Sequence, residues 1–148
     1  MVIIALDPGA RSGFARLDDD TITDLRALPA ADVPALLRSL PRPDLVVIET
    51  PSHPGSRWSM DSYGTLREQA GRLVGLVEAL WPGVEILRPW PQPRGKGEAW
   101  QPWAHDGARG KDASLARVLR HLAPVVVVPR SADAWDAGAM CCWARWGR

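Results

Sequence analysis

MVIIALDPGA, residues 1–10, is an apolar run that ends in a single carboxylate, Asp7, followed at once by Pro8 and Gly9. Residues 2–6 are too few for a helix and rich in β-branched side chains, so they read as a buried strand whose outer end delivers the acid. Proline pushes the residue before it into extended geometry, and Pro-Gly suits the two central positions of a type II turn. Asp7 is therefore expected to be strand-like where the chain turns. Taken alone, the stretch reads equally well as an ordinary Asp-Pro-Gly turn; its weight comes from the acids that follow.

Residues 44–50, DLVVIET, repeat the pattern, with a continuous apolar run closed by Glu49. Such a run suits a strand buried on both faces of a mainly parallel sheet. Open α/β sheets form their sites at the carboxyl ends of strands, and neighbouring strands lie about 4.8 Å apart. If the two strands pair, Asp7 and Glu49 can share one cation. Residues 13–17 and 21–28 read as two further strands joined by Asp18, Asp19 and Asp20, which suggests an antiparallel meander. That acidic triplet is turn chemistry, because consecutive residues on a tight turn point in different directions.

A short helix is expected at residues 32–40, with Pro34 tolerated in its first turn. Leu66, Ala70, Leu73, Val77 and Leu80 recur at helical spacing, so a long amphipathic helix precedes Pro82 and Gly83. A fifth strand follows at 84–87. The order implies an α/β fold: a mixed five-stranded sheet, antiparallel meander then parallel strands, flanked by helices. Residues 88–110 show no period and read as a long loop, with Trp90, Trp100 and Trp103 interleaved among Arg, Lys, Pro and Gly. Each of these tryptophans, taken singly, is expected to fold back over the core. A helix at 111–122, with Leu115, Val118, Leu119 and Leu122 on one side, leads to a short extended apolar stretch at 124–129. Ser131 is a plausible N-cap for a last helix that carries Asp133 and Asp136 three apart on one face.

The 148 residues, 46% hydrophobic and 24% charged, suit one globular domain spanning 1–148. No run approaches the roughly 18 apolar residues of a membrane helix, so no membrane partner is expected. Cys141 and Cys142 are adjacent and poorly placed to bridge each other, which points to packing roles and a cytoplasmic, reducing setting. The net charge of +1 says little about partners. Its distribution says more: residues 88–120 hold Arg88, Arg94, Lys96, Arg109, Lys111, Arg117 and Arg120 against Glu98, Asp106 and Asp112, an excess of four. Cations beside aromatic faces suit nucleic acid. A proline- and glycine-rich loop at 52–59 adds His53, Arg57 and Trp58.

Asp7, Glu49, Asp133 and Asp136 come from three separated stretches, and each is expected at an element end facing one rim of the sheet. Gathering four like charges without a cation is costly. All-oxygen ligation suits Mg²⁺ or Mn²⁺, and two such ions about 4 Å apart can drive phosphodiester hydrolysis.

IIALDPGARSGFA, DLVVIETP, GARGKDASLARVL and SADAWDAGAM, in that order over nearly the whole chain, resemble the RuvC-type Holliday junction resolvases of the RNase H-like superfamily. The resemblance implies Asp7, Glu49, Asp133 and Asp136 as ligands of two ions per active site, Asp7 bridging, with Lys111 near the scissile phosphate. It implies Lys96 in a second DNA-contacting loop, and Arg94, Arg109, Arg57 and Trp58 join these as DNA-binding candidates. It further implies a homodimer, partly through the long helix after Glu49, that nicks four-way DNA junctions in pairs. Where the family carries an aromatic wedge three residues after the glutamate, this chain has Ser52; Trp58 or His53 are the substitutes at hand. Other readings are a different RNase H-like nuclease, such as one resembling the YqgF group, or a junction-binding protein that cleaves weakly. The actin and sugar kinase type needs a second domain that 148 residues do not supply.

Overall fold

Alternate residues of a strand face opposite sides of its sheet, and the first strand divides two apolar clusters in this way. A computed structural model describes residues 1–51, 60–92, 98–106 and 112–148. In it β1 (Val2–Asp7) sends Ile3 and Ala5 into one cluster and Ile4 and Leu6 into the other. β2 (Arg11–Asp18) and β3 (Thr21–Pro29) form the antiparallel meander, while β4 (Leu45–Ile48) and β5 (Glu85–Leu87) add in parallel on the far side of β1. The sheet order is β3-β2-β1-β4-β5, the mixed five-stranded arrangement that the sequence implies.

Ile4, Leu6, Phe14, Val46 and Ile48 meet α1 (Val33–Ser39) and α2 (Met60–Leu80), with a single 3-10 turn, Ala30–Asp32, before α1. The opposite face carries α3 (Gln101–His105), α4 (Ala113–Val118) and α5 (Ala132–Trp146). Small residues let α5 lie close: a Cβ at Gly138 would stand 2.6 Å from a Val118 methyl carbon. Cys141 and Cys142 are free and buried in this layer, as packing residues. The end of α5 is tied to the β2–β3 turn by Arg145 and Asp20, 2.9 Å apart, an exposed pair worth under about 1 kcal/mol.

Three expectations need correction. The bend after Asp7 is not a type II turn, because Gly9 does not adopt positive φ; glycine is needed there because a Cβ would stand 2.7 Å from the Arg11 carbonyl oxygen. The stretch 88–110 is not one long loop: Trp90 bridges to Ala99, Trp100 is wholly buried, and α3 follows. The helix expected at 111–122 is only Ala113–Val118, and Leu119 is 54% exposed. It ends early because the chain turns to pair with the edge of β3, where the Ile22 amide donates to the His121 carbonyl at 2.7 Å. In the apolar stretch 124–129, Val126 packs against the core, while Val125 and Val127 are 88% and 86% exposed. Ser131 occupies the N-cap position of α5 without a side-chain capping bond.

Gly13 decides how α5 reaches the site. It pairs with Asp7 across β1 and β2 and shares its face, and a Cβ there would lie 1.9 Å from the Asp133 carbonyl oxygen. The obstacle is backbone, so no rotamer change relieves it. Gly13→Ala is expected to destabilise the chain by about 1–3 kcal/mol, the usual range for overpacking. Urea unfolding reads this as a lower midpoint at unchanged slope.

Candidate active site

Parity along two neighbouring strands puts the first two acids on one face. Asp7 follows Ile3 and Ala5, and Glu49 follows Leu45 and Val47, all four packed in the layer under α5. β1 and β4 pair in parallel through Leu6 and Ile48, and the Glu49 amide extends the ladder to the Leu6 carbonyl at 3.1 Å. α5 adds Asp133 and, one turn on, Asp136. Asp7, Glu49 and Asp133 line a cleft of about 680 Å³ whose other wall is α2, through Leu66 and Gln69. Asp136 is held from α4: the Ser114 hydroxyl donates to its Oδ1 at 2.5 Å, and His105 Nε2 lies 3.0 Å from that hydroxyl.

Electrostatics links all four. Burial pushes the Asp7 carboxyl well above the ordinary range, and the charges of Glu49, Asp136 and Asp133 push the same way. Glu49 is pushed up to about 7, by burial first; the Trp100 N–H opposes this and Asp136 adds to it. Asp136 is raised by burial, with Ser114 opposing and Asp133 adding. Among the described residues, none of the four acids forms an ion pair. Their donor chemistry, all oxygen and mutually repelling, fits a hard divalent cation such as Mg²⁺ or Mn²⁺. Among the described residues, no three His, Cys, Asp or Glu side chains converge as a chelating group, and one oxygen each of Glu49 and Asp136 is engaged by Trp100 and Ser114.

Sequence reasoning missed the partners of these acids. Trp100 donates its indole N–H to Glu49 Oε2 at 2.8 Å, although it lies 51 residues further along the chain. Ser114 and His105 carried no signal beyond their places near a basic stretch. A buried indole needs an acceptor, and that rule together with a nearby acid was the only clue. On the far side of Pro51, Arg67, Arg88 and Trp90 line a second cleft of about 530 Å³, two cations beside an aromatic ring. Lys96, Lys111, Arg94, Arg109, Arg57, Trp58 and His53 all lie outside the described residues.

No family model matches the chain, and no curated protein matches it. Solved structures do. Thermus thermophilus RuvC in complex with Holliday junction substrate aligns with a TM-score of 0.71 at 17% identity, covering 99% of this chain and 96% of that one. A second Thermus thermophilus RuvC structure aligns with a TM-score of 0.63 at 20% identity, covering 99% and 97%. The fold is that of RuvC. In this RuvC-like, RNase H-like architecture, the acid cleft occupies the carboxyl ends of β1 and β4, where α5 meets the sheet.

The raised carboxyls make stability depend on pH in a definite direction. Between the ordinary value of 4.5 and about 7, Glu49 holds a proton in the folded chain that it has lost in the unfolded one. Folding therefore takes up protons, so stability is greatest below that window and falls as pH rises through it. Asp7 and Asp136 act in the same sense. In a chelator, the thermal midpoint is expected to fall between about pH 5 and pH 8, and Mn²⁺ at the upper pH should restore it. A midpoint that rises over this range would contradict the crowding of these acids.

Proposed function

We propose that the chain is a metal-dependent, structure-selective endonuclease that resolves four-way DNA junctions by paired phosphodiester hydrolysis. The observation that carries this reading is the acid cleft, where three distant segments bring carboxylates together, and burial first and neighbouring acid charges second raise the proton affinity of Asp7, Glu49 and Asp136. Asp7, Glu49, Asp133 and Asp136 would hold two Mg²⁺ or Mn²⁺ ions. The chemistry such a pair would supply is activation of a water on one side of the phosphodiester and stabilisation of the leaving oxygen on the other.

The chain's own part is to hold the donors and grip the substrate. β1 and β4 fix Asp7 and Glu49 level with each other on neighbouring strands, Gly13 admits the head of α5, and the raised carboxyls would give up their protons to hold a cation. Lys111 would stand near the scissile phosphate. Lys96, Arg94, Arg109, Arg57 and Trp58 would contact the DNA, and Arg67, Arg88 and Trp90 extend that surface beside the acids. The similarity to a RuvC bound to a Holliday junction supports a four-way junction as the substrate.

The working form would be a homodimer, whose two-fold axis matches a substrate of similar symmetry. In its favour, Gly64, Gly71 and Gly75 leave one side of α2 open, with no atom within 4 Å of where a Cβ would be. No helix among the described residues is long and apolar enough to cross a membrane. The free, buried thiols of Cys141 and Cys142 support a reducing, cytoplasmic setting.

Asp7→Asn is expected to lower cleavage of a labelled four-way junction in Mn²⁺ by more than the roughly hundredfold that outer-shell changes cost, while junction binding persists. Equal cleavage of linear, forked and four-way DNA by the native chain would leave a nuclease without junction selectivity. Binding with no cleavage in either metal would make the chain a junction-binding module.

Gly75→Leu tests the dimer by sedimentation velocity. The native chain is expected to sediment as a dimer and the variant as a folded monomer. A monomeric native chain at micromolar concentration would remove the dimer from the reading.

A further inference from the structure

We propose that Trp100, His105 and Ser114 are positioning residues, a single connected layer that sets where the carboxylates of Glu49 and Asp136 point and thereby tunes how tightly the cleft holds a divalent cation. This rests on reading the four acids as metal ligands. Its geometry is continuous. The Trp100 indole, wholly buried, donates to Glu49 Oε2 at 2.8 Å. The His105 ring meets the Trp100 ring edge-on, with centroids 5.6 Å apart and planes at 88°. His105 Nε2 then lies 3.0 Å from the Ser114 oxygen, and Ser114 donates to Asp136 Oδ1.

A hydroxyl has one proton to give, and Ser114 gives it to Asp136. Its oxygen is left to accept, so His105 presents Nε2–H toward it and the imidazole is held in one tautomer. Two acids on different elements, one after β4 and one on α5, are thus joined through a third region. Each keeps one oxygen held and one for an ion. Hydrogen bonds to a carboxylate are charge-assisted and fix direction more firmly than neutral ones.

The layer is itself anchored, as a positioning device must be. The Trp100 amide donates to the Trp90 carbonyl at 3.1 Å. Arg117 stacks over Trp103 with its guanidinium carbon 4.3 Å from the ring centre, and it donates to the Trp103 and Ala104 carbonyls at 3.2 Å each. If the head of α3 and the first turn of α4 merely filled the core, phenylalanine at 100 and alanine at 114 would serve. Instead, two polar groups are buried there, Ser114 only 2% exposed, and both are aimed at acids of the cleft.

The test titrates Mn²⁺ alone into the full chain by calorimetry, with the thermal midpoint measured beside it. Trp100→Phe, Ser114→Ala and His105→Leu are each expected to weaken Mn²⁺ binding about tenfold, the lower end of what outer-shell partners contribute. His105→Gln, whose amide nitrogen can donate from the place of Nε2, should recover most of that loss. If Trp100→Phe fails to fold, the Ser114 and His105 variants decide. Variants that bind Mn²⁺ as the native chain does while melting lower would overturn the proposal and leave the metal reading intact, as would equal losses for His105→Gln and His105→Leu. A native chain that binds no Mn²⁺ would overturn both.

Discussion

The Asp133 carbonyl oxygen occupies the space where a side chain at position 13 would begin. This close approach of a helix head to a strand is the constraint on which the site depends. Asp7 and Gly13 face each other across β1 and β2, so the acid and the gap beside it belong to the same rung of the sheet. Without the gap, α5 would stand off from β2 and carry Asp133 and Asp136 away from Asp7. The small residues further along α5 extend the same close contact, with Gly138 against Val118 and Leu25.

Bringing the acids together works against stability, and the rest of the fold must offset it. The sheet is covered on both faces by separate apolar clusters, and the strands β1 and β4 that deliver Asp7 and Glu49 are buried almost throughout. The two strand-end carboxyls therefore leave rigid elements, while their charges crowd at the rim. Burial first, and that crowding second, raise the proton affinities of Asp7, Glu49 and Asp136. A divalent cation would relieve it, which connects the energetics of folding to the proposed chemistry.

The segment after β5 shows where pattern reading ended. Its prolines and glycines erase any period, so it read as a loop, with each tryptophan singly expected to fold back over the core. In the structure Trp100 is a core residue, Trp103 lies under Arg117, and Trp90 lines a cleft with Arg67 and Arg88. One large aromatic anchor outweighs the missing periodicity, because burying an indole with its N–H bonded to a carboxylate satisfies both its apolar and its polar parts. Likewise α4 is shorter than its apolar spacing suggested, since pairing of the following residues with the edge of β3 takes the chain out of helical geometry.

By itself the sequence determined the strands, the two long helices and the acids at their ends. Those features rest on local chemistry: runs of β-branched residues, helical spacing of apolar ones, and turn residues at the breaks. It also determined that Asp7 and Glu49 close two similar strands, from which a shared rim followed once those strands paired. The tertiary structure alone decided which groups hold the acids. Trp100 reaches Glu49 from 51 residues away, and Ser114 reaches Asp136 from 22 residues away. No periodicity encodes such contacts, because they depend on how α3 and α4 pack against the sheet. Gly13 stands between the two cases: its place opposite Asp7 follows from the strand register, but the need for glycine arises only when α5 comes down onto it.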